Sequence, residues 1–228
     1  MKAFIKGIPV IGPTLVRLRQ ALVRFEGSSD YWEGRYETGG NSGAGSYGRL
    51  AEFKANFLNT FVEQHQIQSV IEYGCGDGAQ LTLARYASYT GVDVSGKAVE
   101  MCRIRFADDT SKRFLEWNEL APDSVADLSL SLDVIYHLVE DATFEAYMQR
   151  LFASARRFVI VYSSNKEEDS LVKHVRHREF TRWVARNEPE WCLHSTLKNA
   201  YPYDPANSET TSFADFYVFN PRSKPADQ

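Results

Sequence analysis

The stretch V-I-E-Y-G-C-G-D-G, residues 70–78, opens apolar and closes on glycines at every second position. A short apolar run ending in glycines reads as a buried strand followed by a tight turn, and SVIEY (69–73) is that strand. Glycines let a backbone pass close beneath a ligand and take positive φ where a side chain would clash. Glu72, Gly74, Gly76 and Gly78 give E-x-G-x-G-x-G. This is not G-x-G-x-x-G, whose spacing brings a helix N-terminus against a pyrophosphate. No G-K-[ST] follows, so a P-loop is excluded, and Asp77 makes a phosphate ligand less comfortable still.

Outward from this loop, strand and helix signals alternate. AQLTLARYA reads as the helix after the first strand, YTGVD (89–93) as a second strand, and SGKAVEMCRIRFA as a helix capped by Ser95. KRFLEW (112–117), ADLSLSL (126–132) and RFVIVYS (157–163) are three further strands, with a helix around 141–154 before the last. Upstream, RLAEFKANFLNTFVEQHQ places Leu50, Phe53, Phe57, Leu58 and Phe61 on one broad helical face. SLVKHVRHREFTRWVARN (170–187) looks helical, and EWCLHSTLKNAY and SFADFYVF read as two strands that pair antiparallel. Alternation at this spacing predicts an α/β fold, a Rossmann-like and mostly parallel sheet with helices on both faces. The expected organisation is an N-terminal helical extension with a Gly-rich lid segment (1–48), a core domain (49–220) and a tail (221–228).

Ligands of open parallel sheets bind at the carboxyl ends of the strands. Asp93 ends the second strand, fifteen residues after Gly78, where a carboxylate accepts hydrogen bonds from ribose hydroxyls. An acidic first loop, a ribose-binding acid and no pyrophosphate site point to a nucleoside with a zwitterionic tail, which describes S-adenosyl-L-methionine. VIEYGCGDG, YTGVDVS and ADLSLSLDVIYHL together resemble the class I S-adenosylmethionine-dependent methyltransferases over roughly residues 65–165. That resemblance implies a seven-stranded sheet with its last strand antiparallel. It puts Glu72, Gly74, Cys75 and Gly76 under the methionine part of the cofactor, Asp93 on the ribose and Val94 against the adenine. Asn118 takes the place of an acidic residue often found near the adenine amino group, and Ser131 of the fourth strand joins the cofactor set. No N/D-P-P-Y/F follows the fourth strand, against a nucleic-acid methylase.

A hydroxyl acceptor needs its proton removed, and Asp133 and His137, four residues apart just past the fourth strand, are the expected catalytic pair. His137 also matches a histidine of D-V-x-x-H-L segments that often ties the loop to the sheet, so a structural role stands beside the catalytic one. Tyr36, Tyr47 and Arg49 flank the glycine cluster GGNSGAGSYG (39–48), which reads as a lid folding over the site or as a flexible linker. Tyr36 is expected at the cofactor and Tyr47 and Arg49 at the acceptor. Residues 171–186 hold five Lys/Arg against one Glu, in a chain of net charge −4. His174, Arg176, His177 and Arg178 there read either as an acceptor wall of forked donors or as a solvated helix face. No metal site is expected, since histidines at i, i+3 alone are weak evidence.

The acidic balance argues against a nucleic-acid partner. Three widely separated cysteines without C-x-x-C fit reduced thiols in the cytoplasm. Residues 14–25 carry Leu15, Leu18, Leu22 and Phe25 on one helical face with arginines elsewhere. Two readings stand for them: docking on the domain or on a second subunit of a homo-oligomer, or peripheral contact with the inner face of a membrane. DYWEGRYETGGNSGAGSYGRLAEFKANFLN, HVRHREF and TSFADF resemble small bacterial methyltransferases met in surface-polysaccharide and glycan assembly. That narrower resemblance implies a sugar or glycan acceptor, O-methylated, with a small-molecule or protein acceptor or a non-catalytic subunit as alternatives.

Overall fold

The strand patterns dictate two buried faces. In the fourth strand, β4 (Ala126–Leu132), Leu128 and Leu130 point to one face while Ser129 and Ser131 point to the other, and all four are buried. β5 (Ala155–Ser163) repeats the alternation with Ile160 and Tyr162 against Val159 and Val161. Strands buried on both faces require covering helices on both sides. The computed structural model, which describes residues 27–168, 170 and 172–222, shows that arrangement. Residues 14–25, with their proposed membrane or subunit contact, lie outside the described residues.

β1 (Val70–Tyr73), β2 (Tyr89–Asp93), β3 (Lys112–Glu116), β4, β5, β6 (Trp191–Leu197) and β7 (Asp215–Pro221) form one sheet in the order 3-2-1-4-5-7-6. β1 to β5 are parallel, and β7 inserts antiparallel between β5 and β6. Helices α1 (Ser28–Glu37) and α2 (Gly48–Gln64) precede the sheet. α3 (Gly96–Arg105), α4 (Asp141–Ala153) and α5 (Phe180–Asn187) follow β2, β4 and β5. α2 and α3 cover one face through Leu58, Phe61, Val99 and Cys102, while α4 and α5 cover the other through Phe144, Met148, Leu151 and Phe180. Ser95 caps α3, its Oγ accepting from Ala98 N at 3.1 Å.

Two expected helices are shorter than their periodicity suggests. AQLTLARYA forms only a 3-10 turn at Gln80–Leu83. The α2 side chain of Asn59 intercepts the backbone there: its Nδ2 donates to Leu83 O at 2.9 Å and its Oδ1 accepts from Arg85 N at 2.8 Å. Those are the groups a continuing helix would have used. Of the described residues in 170–187, only α5 is helical. Residues 174–177 instead bond sideways, Arg176 N to Tyr136 O at 2.8 Å and His137 Nδ1 to His174 O at 2.9 Å.

Candidate active site

The switch in strand order falls between β1 and β4, and the site opens at their carboxyl ends. A cavity of about 450 Å3 lies there, walled by Gly74, Gly76, Asp93, Trp117, Asp133 and His137 among others. Gly76 has φ +55, and a Cβ on it would fall 2.3 Å from Ser42 Oγ and 2.8 Å from Tyr36 Oη. Gly74, at φ +79, would meet Val134 at 2.4 Å. The loop is therefore held under the cavity by contacts that only glycine permits. Asp93 accepts from Gly76 N at 2.9 Å and Ser95 N at 3.0 Å, so the end of β2 pins the loop following β1. Burial raises its pKa, against three backbone hydrogen bonds. Among the described residues, no Lys or Arg lines the cavity beside its carboxylate, leaving lone pairs for a ligand's hydroxyls. These features fit S-adenosylmethionine: Asp93 would hold the ribose, Val94 and Trp117 the adenine side, and the glycine loop the methionine part.

The glycine-rich segment is seated on this loop. Asp77 gathers it, accepting from Ser42 N at 3.1 Å and Tyr47 Oη at 2.6 Å, while Asp77 N donates to Ser42 Oγ at 2.9 Å. Burial pushes the Asp77 carboxyl up, but these hydrogen bonds outweigh it and leave the group below its ordinary value. Tyr36 Oη lies 3.0 Å from Ser42 Oγ, and burial beside Asp93 raises its pKa strongly. Gly76→Ala is expected to lower affinity for the cofactor at least tenfold and to open residues 38–48 to protease. The left-handed backbone alone costs a non-glycine residue roughly 1–2 kcal/mol before the clash is counted. Calorimetric titration with S-adenosylhomocysteine and limited proteolysis check both; unchanged affinity would show that the loop yields.

Past β4 the chain turns sharply, with Asp133 at φ 60. Aspartate tolerates that conformation better than most residues. Its Oδ2 accepts from the buried Lys54 Nζ at 2.6 Å and its Oδ1 from Tyr136 Oη at 3.0 Å. Asp133 is at the cavity wall, but its carboxylate is held in this network, and it reads as a positioning residue rather than a base. His137 differs. A carbonyl can only accept, so the 2.9 Å contact to His174 O fixes the proton on Nδ1. No described residue donates to Nε2, which is left a proton acceptor. Burial, ahead of the other influences, lowers the His137 pKa to about 4, so the ring is neutral at physiological pH. The Trp32 ring packs edge-on against it at 4.9 Å.

The remaining expected residues fall in three places. Tyr36, Gly74, Gly76, Asp93, Val94, Asp133 and His137 meet at the cavity. Four expected cofactor residues do not line it. Glu72 points into the core beneath β1, accepting from Tyr89 Oη at 2.6 Å, and burial lifts its pKa to about 7. Cys75 packs against Gly91, Ser131 Oγ pairs with Tyr147 Oη at 2.8 Å, and Asn118 is exposed while its neighbour Trp117 lines the wall. The expected acceptor wall is also corrected. Arg176 and Arg178 reach the carbonyls of Leu138 and Val139 and pair with Asp141, so they brace the loop past β4. His177 is buried against Ser164, His174 stacks on Tyr31, Tyr47 serves Asp77, and Arg49 binds Thr210 and covers Tyr201. Lys54 and Trp32 carry more of the site than the sequence suggested; a lysine on the apolar face of α2 was the available signal for the first.

Residues 71–160 match a family model described as a methyltransferase domain. Among curated proteins none matches the sequence. Solved structures share the fold. The methyltransferase domain of bacterial CtHen1 superposes with a TM-score of 0.58 at 21% identity, over 75% of this chain and 100% of that one. The N-methyltransferase NodS from Bradyrhizobium japonicum WM9, in complex with S-adenosylhomocysteine, gives 0.61 at 14% identity over 76% and 88%. Magnesium protoporphyrin IX methyltransferase from Synechocystis PCC 6803 with bound S-adenosylhomocysteine gives 0.58 at 15% over 76% and 85%. Residues 71–160, with the glycine loop and Asp93 at the carboxyl edge of the sheet, match a methyltransferase domain, and the chain shares the fold of methyltransferases solved with bound S-adenosylhomocysteine.

Proposed function

We propose that the protein transfers a methyl group to a hydroxyl of a neutral sugar or glycan, with His137 as the base. The observation that carries this reading is the His137 tautomer: Nδ1–H is tied to the His174 carbonyl, which leaves Nε2 as the acceptor at the cavity. The cofactor, when bound, supplies an electrophilic methyl group. The chain must then hold the acceptor oxygen in line and remove its proton. His137 Nε2 takes that proton. Trp32 offers an apolar ring face beside it, and Ser28, Ser29 and Thr143 line the same cavity. Among the described residues, no Lys or Arg lines the cavity, which favours a neutral acceptor over phosphate-bearing ones, nucleic acid included. A lipid-linked glycan would suit the basic amphipathic residues 14–25, although no helix among the described residues is long and apolar enough to cross a membrane.

The test is a panel of monosaccharides, nucleotide sugars and oligosaccharides offered with methyl-labelled cofactor, alongside amines, peptides and short RNA. Label is expected in an alkali-stable methyl ether of a neutral sugar. Uptake confined to amines, peptides or RNA would overturn the carbohydrate reading and leave the methyltransferase intact.

A further inference from the structure

We propose that Glu140 is a positioning residue for methyl transfer: it latches the first turn of α1 to the loop past β4, and α1 in turn holds His137 in place. The proposal rests on His137 being the base. α1 is preceded by Gly27 and so has no side-chain cap of its own. Glu140 supplies one from across the site: its Oε1 accepts from Ser28 N at 3.0 Å, and its Oε2 lies 2.7 Å from Ser28 Oγ. The same Oγ lies 2.7 Å from His137 O and accepts from Val139 N at 3.1 Å. Ser28 is 3% exposed, so water is a poor substitute for these partners. Burial pushes the Glu140 carboxyl up, but its hydrogen bonds and the Arg178 charge outweigh it and leave the group below its ordinary value. The carboxylate is therefore charged at neutral pH, which suits the positive end of a helix.

From that anchor one stripe of α1 reaches His137 three times, since residues 28, 31 and 32 share a helical face. Ser28 meets the His137 carbonyl. Tyr31 stacks on the His174 ring at 4.4 Å, and the His174 carbonyl takes the Nδ1 proton of His137. Trp32 closes on the imidazole edge-on at 4.9 Å. His137 itself ends a single 3-10 turn, Ile135–His137, which is too short to fix a ring unaided. α1 thus supplies part of the burial that keeps Nε2 free and braces the contact that selects the tautomer. The charged groups facing His137 are Asp133 on its own loop, His174 after β5 and Arg35 on α1. Burial and the charges of His174 and Arg35 disfavour the protonated ring, and only Asp133 favours it among the three, so loosening α1 moves the His137 pKa upward.

NMR titration of the five histidines of the full chain tests this without any acceptor, in the wild type, Ser28→Ala, Glu140→Ala and Glu140→Gln. His137 should titrate near 4 in the wild type and move up toward 6.5 in the two alanine variants. Glu140→Gln removes the charge but keeps an oxygen for Ser28 N, so it should stay near the wild type. Turnover is then measured with the sugar that takes most label in the panel above. Glu140→Ala should lose about tenfold or more in kcat, since small misplacements near the reacting atoms are costly. Its acid limb should rise with the His137 titration, and its affinity for S-adenosylhomocysteine should move only a few-fold. The double variant should be no worse than the poorer single, because both break one latch. His137 still titrating near 4 in both alanine variants, with or without a fall in Tm, would make Glu140 structural only and overturn the proposal. Equal shifts in Glu140→Gln and Glu140→Ala would assign the effect to charge and overturn the latch. A His137 that moves up while turnover is unchanged would instead overturn His137 as the base, leaving a latch with no part in the reaction.

Discussion

His137→Ala is expected to lower turnover about a hundred- to ten-thousand-fold, the range for loss of a positioned general base. The dissociation constant for S-adenosylhomocysteine should move only a few-fold. Single-turnover kinetics and titration calorimetry separate the two. The alanine also removes the Nδ1–H bond that joins the loop past β4 to residue 174, so part of its effect is structural. His137→Gln restores an amide donor without restoring a base. It should regain stability and stay inactive; a glutamine variant that turned over normally would make His137 a tie and no more. The pH profile gives an independent reading. With the folded pKa held down to about 4, chiefly by burial, Nε2 is available across the neutral range, and turnover should fall only as pH drops through about 4. An acid limb centred near the ordinary histidine value would contradict the burial described here. Stability shifts in the same direction. The unfolded chain takes up this proton near 6.5 and the folded chain near 4, so the unfolded state binds more protons between those values. The contribution is complete above 6.5 and is lost as pH falls through the folded value.

Lys54→Ala should destabilise the protein by about 3–5 kcal/mol, because it strands a partly buried carboxylate. Lys54 is 1% exposed and Asp133 16%, with Nζ and Oδ2 2.6 Å apart, so water reaches the pair poorly. For a chain of this size the loss corresponds to a fall in Tm on the order of 10 °C. Burial already raises Glu72 to about 7, with Lys54 among the groups that hold it down, so removing the lysine should push it higher. Combining Lys54→Met with Asp133→Asn should recover part of the loss, since no unpaired charge remains. Chemical denaturation of the three proteins checks this. A single variant within about 1 kcal/mol of wild type would mean the pair behaves like an exposed one.

Much of the fold could be read from local pattern. YTGVD and ADLSLSL form β2 and β4 at the expected residues, because a strand buried on both faces announces itself by a short apolar run closed by turn residues. The glycine loop and Asp93 were legible for a related reason. Their places at the cavity depend on backbone geometry at strand ends, which spacing along the chain preserves. The helices that failed were overruled from a distance, by Asn59 at residues 83–85 and by the loop past β4 at residues 174–177. Arg176 and Arg178 carry the composition of an anion site, yet their guanidinium groups are used by carbonyls far away in sequence.

The sequence by itself determined the sheet, the glycine turn after β1 and the acid at the end of β2, since period-two burial and positive-φ glycines are properties of short segments. Only the tertiary structure decided which polar side chains remain available for chemistry. Asp133 and His137 stand four residues apart with similar claims. Packing gives the first to Lys54 and Tyr136, and ties the second at Nδ1 alone. A hydrogen bond consumes a group's capacity to act, and its partners come from wherever the fold brings them.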